Sequence, residues 1–187
     1  MGLMVGRKAG FYKTEKHQSA RDDSKVGGNI MMWAGISGDK LIGPYKVDDG
    51  VKLTSQSYCE FLDKTFFKWS KSQSRSFKTN CVFMHDNAPS DASNATRQFL
   101  ERKGISGKKL MMWPPASPAD LIPIENFWAI VKKIYGGGRQ YENKGDLWDA
   151  IQAACKDVNS MEIERLTNSL DKRVMLVFEK KGGHIGM

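Results

Sequence analysis

The pattern of apolar and polar positions sharpens at Asn29. Before it, residues 1–28 are polar, basic and glycine-containing, with Gly10-Phe11-Tyr12 as the apolar island, and they predict an irregular lead-in with room for one short strand. After it, Ile30-Met31-Met32-Trp33-Ala34-Gly35-Ile36 is a short continuous apolar run that predicts a buried strand. Turn chemistry at Ser37-Gly38-Asp39-Lys40 and a second run, Leu41 to Val47, make this a hairpin. Pro44 has no N–H for a ladder and puts the second strand at a sheet edge.

Thr54 and Ser55 are N-cap residues for a helix whose apolar face is Tyr58, Phe61, Leu62, Thr65, Phe66 and Trp69. Ser70 to Thr79 is polar and basic and reads as a surface loop. Cys81 to Met84 is a short apolar strand ending in His85-Asp86. A helix follows from about Pro89 through Ala92, Ala95, Phe99 and Leu100, closed by Gly104. Leu110 to Trp113 is the next strand, stopped by the prolines between Pro114 and Pro118. Pro123 suits a first helical position, with Ile124, Phe127, Trp128, Val131 and Ile134 as the buried stripe of a helix ended by Gly136-Gly137-Gly138. Helices over Lys144–Asn159 and Met161–Lys181 complete the chain. This order predicts an α/β layer fold in which the Asp86 and Trp113 strands run parallel, because a helix crosses between them.

Composition adds a bias in partner. The 187 residues carry 29 Lys+Arg against 21 Asp+Glu, a net charge of +8, which favours an anionic partner such as nucleic acid, although a solvated basic face has the same count. Cys59, Cys81 and Cys155 are widely spaced and form neither a disulfide framework nor a zinc ribbon, so a reducing, intracellular setting is expected. No apolar stretch approaches the roughly 18 residues of a membrane span.

Two acids stand on stiff mounts. Asp86 lies at the carboxyl end of a strand, where working groups collect in open α/β sheets, and Glu125 lies in the first turn of a helix. Brought to about 4 Å, two carboxylates repel by roughly 4 kcal/mol at an effective dielectric of about 20, so a cation must hold them; Mg2+ suits hard oxygen ligands and phosphate substrates. A turn acid and a helix-start acid without further role would look the same by spacing. Trp33, Trp113 and Trp128 read as core, His85 as a supporting or core residue, and His17 and His184 carry no argument.

Resemblance goes further than spacing. His85-Asp86-Asn87-Ala88-Pro89-Ser90 and Trp113-Pro114-Pro115 through Pro123-Ile124-Glu125-Asn126-Phe127-Trp128 resemble two signature blocks of the Tc/mariner superfamily of DDE transposases. Met31 to Ile36, Gly137 to Tyr141 and Lys181 to Ile185 are similar to further parts of that pattern. The resemblance implies an RNase H-like mixed sheet flanked by helices over residues 29–187, acting on DNA in the nucleus with Mg2+ or Mn2+, as a possible homodimer. It implies Asp86 and Glu125 as the second and third catalytic acids and metal ligands, with 38 residues between them. Lys108, Lys109, Lys132, Lys133 and Arg139 are the expected phosphate contacts.

Three departures accompany the resemblance. The first catalytic Asp is not found, and Asp22-Asp23 reads as a turn. Asp91 stands where the pattern has His. Ala119 is inserted and Ile122 replaces an Asn in the loop that aims Glu125. The opening central strand is therefore expected to be missing, or replaced from near Phe11-Tyr12, and the chain to be a truncated, impaired transposase catalytic domain. The alternative is a non-catalytic DNA-binding remnant.

Overall fold

The computed structural model describes the backbone of residues 3–8, and residues 30–51, 53–84, 93–111, 122–137, 139 and 141–180 in full. Among them one mixed sheet is formed by β1 (Leu3–Lys8), β2 (Met32–Ser37), β3 (Lys40–Lys46), β4 (Val82–Met84) and β5 (Leu110–Met111), in spatial order β3-β2-β1-β4-β5. β1 is antiparallel to β2 and parallel to β4, and β4 is parallel to β5 as expected from the crossing helix. This is the RNase H-like mixed sheet that the resemblance implies.

The centre of that sheet corrects the sequence reading. The opening strand was expected to be missing, or patched from near Phe11-Tyr12, within a lead-in of residues 1–28 that was read as irregular with room for one short strand. Leu3–Lys8 instead fills the place between β2 and β4, pairing Met4 with Ser37 on one side and with Phe83 on the other. The physical demand is the one that made a gap implausible: without a strand there, β2 and β4 would bury two rows of unpaired N–H and C=O groups. Phe11 and Tyr12 lie outside the described residues.

Alternation on the inner strands divides the interior in two. Met32, Ala34, Ile36 and Met84 face one side and join Ile124, Phe127, Trp128 and Val131 of α5 (Pro123–Gly136) with residues of α6 (Lys144–Asp157), α7 (Ser160–Asn168) and α8 (Leu170–Glu179). Trp33, Ile42 and Phe83 face the other side, against α1 (Ser55–Leu62) and α4 (Asn94–Arg102), with Tyr58, Leu62, Phe66 and Leu100. Burial of each large side chain stabilises the fold by roughly 1.5–3 kcal/mol, which fixes the sheet between two helical layers.

Local chemistry explains most boundaries. Thr54 caps α1 in a reciprocal box with Ser57. Below α1 the chain makes a π turn, Asp63–Phe67, and continues as α2 (Lys68–Lys71). The wider turn changes the stripe predicted at α-helical spacing, so Phe67 is buried while Trp69 is half-buried. Ser70 to Thr79 is not all loop: Ser74 accepts a hydrogen bond from the Phe77 amide and starts α3 (Arg75–Asn80). The helix expected over Met161–Lys181 is two, α7 and α8, broken where the Thr167 and Ser169 hydroxyls bond to the carbonyls of Glu164 and Leu166. Pro44 sits on edge strand β3 as expected. Beside it Gly43 has φ +96°, and a Cβ there would approach the Trp33 carbonyl at 3.1 Å.

Candidate functional site

Glu125 is the third residue of α5. Ile122 is the N-cap and Pro123 opens the helix, needing no N–H at a position that would leave one unpaired. The Glu125 amide donates to the Ile122 carbonyl at 3.0 Å, and Asn126 Nδ2 approaches the same oxygen at 3.5 Å. Ile124, Phe127 and Trp128 are buried around it, while Glu125 is half-buried. Its carboxylate therefore stands on the rim of the core at the positive end of a helix dipole, which favours negative charge.

The parallel strands that precede the helix in the chain share one direction. α5 follows β5, and β4 and β5 are parallel, so both strands lead out at the same, carboxyl edge. Phe83 and Met84 are fully buried, anchoring β4 up to the residue before His85. His85, Asp86, Asp91 and Ala119 lie outside the described residues. Glu125 is thus the one predicted catalytic residue whose setting is seen. Among the described residues no group of three His, Cys, Asp or Glu is gathered as a metal site.

The central strand is informative by its composition. β1 reads Leu-Met-Val-Gly-Arg-Lys and contains no carboxylate. The signal that could have found this strand is the apolar triplet Leu3-Met4-Val5, shorter than the run used to recognise β2.

The predicted cations are dispersed. Lys132 and Lys133 are exposed on α5, and Arg139 is exposed just after it, its amide bonded to the Gly136 carbonyl at 2.8 Å. Lys108 and Lys109 are in a 3-10 turn, Gly107–Lys109, that precedes β5 and so lies at the amino edge of that strand. Lys109 Nζ donates to the Lys78 carbonyl at 3.1 Å.

No protein-family model matches the chain. It is 30% identical over 160 residues, 85% of its length, to the Tc3 transposase of Caenorhabditis elegans, covering 46% of that protein. It is 29% identical over 156 residues, 83% of its length, to the Tcb1 transposase of Caenorhabditis briggsae, covering 54% of it. Among solved structures, the catalytic domain of Mos1 mariner transposase superposes with a TM-score of 0.76 at 15% identity, over 97% of this chain and 83% of that one. The same domain solved with Raltegravir and Mg matches with a TM-score of 0.76 at 15% identity, over 97% of this chain and 84% of that one. At such identity the likeness is one of fold. The chain spans about half the length of the curated relatives it matches.

Proposed function

We infer that the chain belongs to the Tc/mariner superfamily of DDE transposases, and on that premise we propose that it acts on DNA phosphodiester bonds by metal-assisted phosphoryl transfer, with Asp86 and Glu125 as its acids. The observation that carries the reading is Glu125: a half-buried carboxylate in the first turn of a helix whose neighbouring residues Ile124, Phe127 and Trp128 lock it into the core. The Mos1 structures with Mg and with Mn support the choice of cation.

Two carboxylates suit Mg2+ or Mn2+, which prefer oxygen donors. When bound, the cation would supply activation of a water or 3′-hydroxyl and stabilisation of the leaving oxygen. Glu125 and Asp86 would hold it, and the buried Ile124, Phe127 and Trp128 would keep the helix that carries Glu125 from shifting.

The composition of β1 supports an impaired centre. The resemblance implies an Asp on the central strand, and Leu3–Lys8 has none. The same observation favours the second reading, a DNA-binding module without cleavage. Relatives named as transposases support DNA as partner, nuclear residence follows from that substrate, and pairing of two copies belongs to the same proposal.

The test is nicking of supercoiled plasmid with Mg2+ or Mn2+ by the native chain, Asp86→Asn and Glu125→Gln. Weak nicking lost in either variant supports the catalytic reading. Robust nicking that survives both overturns it, and duplex binding without nicking in all three leaves the second reading in its place.

A further inference from the structure

Two segments hold most of the excess charge. Residues 64–80 carry Lys64, Lys68, Lys71, Arg75 and Lys78 with no Asp or Glu, and residues 104–111 add Lys108 and Lys109, again with no acid. Seven of the net eight positive charges therefore reside in these segments. All seven side chains are exposed except Lys109, which is half-buried.

The fold joins them into one surface. Lys64, Lys68 and Lys71 recur at intervals of four and three along the π turn and α2, which keeps them on one side over about 10 Å of helix. Lys78 Nζ, from α3, donates to the Lys71 carbonyl at 2.8 Å, and Lys109 Nζ donates to the Lys78 carbonyl at 3.1 Å. α3 leads into β4 and the 3-10 turn leads into β5, so this ridge is at the amino edge of two parallel strands.

Helix capping explains part of this arrangement. The carbonyls of Lys71 and Lys78 end α2 and α3, and an ammonium there satisfies acceptors that the helix leaves open. Capping does not account for Lys64, Lys68, Arg75 and Lys108, which form no ion pair among the described residues. The flanking acids only bound the ridge: Asp63 is engaged by Lys103, and Asp39 lies at the β2–β3 turn, lining a cleft of about 220 Å³ with Trp69 and Phe77.

We propose that this ridge is a second DNA-contact surface, which holds the phosphate backbone of a duplex segment other than the one presented to Glu125. It recognises charge and spacing, not sequence, because it offers ammonium and guanidinium groups, which pair with phosphates. The proposal does not depend on the metal-site reading.

The experiment measures Kd for a fluorescent duplex of arbitrary sequence against salt, in EDTA so that no metal chemistry contributes. The full chain is compared with a ridge variant (Lys64→Ser, Lys68→Ser, Lys71→Ser, Arg75→Ser), which spares the capping Lys78 and Lys109, and with an α5 variant (Lys132→Ser, Lys133→Ser, Arg139→Ser). Loss of four phosphate contacts flattens the slope of log K against log salt by about 3 to 4, at about 0.9 per contact. A slope unchanged in a folded ridge variant overturns the proposal. Acetylation of the native chain with and without duplex needs no variant: protection of Lys64, Lys68 and Lys71 is expected, and equal labelling overturns it. Retention of ridge binding by Glu125→Gln separates this surface from the metal site.

Discussion

Val5 of β1 is the ladder partner of Met84, the last residue of β4. Arg7 lies two residues beyond Val5, as Asp86 lies two beyond Met84 in the chain. An acid introduced at this level of the central strand would supply the carboxylate that β1 lacks. Arg7→Asp is therefore expected to raise Mg2+- or Mn2+-dependent nicking above that of the native chain, and Arg7→Asn is expected not to. Plasmid nicking of the two variants side by side checks this; equal rates would show that charge at this level does not limit the reaction.

Glu125→Gln is expected to separate chemistry from stability. A first-turn acid contributes typically about 0.3–1 kcal/mol through the helix dipole, a small part of a domain's stability. Nicking should vanish while the urea midpoint moves little. Ile124→Ala, next to it and fully buried, should do the reverse in kind, costing about 2–5 kcal/mol by leaving a cavity.

Legibility followed the strength of local signals. α5 was readable at its start and to within a residue or so at its end, because Pro123 starts it, the glycines after Tyr135 end it and its apolar stripe has the helical period. β2 and β3 were readable from a continuous apolar run and Pro44. β1 was not: six residues with three apolar ones do not declare a central strand, and its place is set by what β2 and β4 leave unpaired. The π turn escaped notice because a fixed 3.6-residue period cannot anticipate an inserted residue. The helix start that carries Glu125 was legible, whereas the convergence of Lys71, Lys78 and Lys109 was not, because it arises only in space.

Thr167 ties the helical layer to the hairpin. Its Oγ1 lies 2.9 Å from the Gly38 carbonyl, across a sequence separation of 129 residues, and 2.9 Å from the Glu164 carbonyl, so its single proton is shared between the two, and the residue is buried. Thr167→Val keeps the shape and removes the donor, and should cost about 0.5–1.5 kcal/mol. Hydrogen exchange at the Ser37–Lys40 turn should rise in the variant while exchange in β4 stays unchanged.

Alkaline pH should loosen the helical layer through groups whose ionisation burial opposes. Burial pushes the Cys155 thiol up to about 12 and the Cys81 thiol up to about 11, and it raises Tyr135 to about 12, with Tyr141 and Cys155 adding to the shift. In the unfolded chain these thiols ionise near 8.5 and tyrosine near 10. A folded value above the unfolded one means that the stabilisation is complete below about pH 8.5 and is lost as pH rises toward 11–12. The urea midpoint should fall across that window, and Cys155→Ala should make the fall shallower. At pH 8 a thiol reagent should label half-buried Cys59 first, with Cys81 and Cys155 reacting only in denaturant. Rapid labelling of all three in the native chain would contradict the burial on which the pH dependence rests.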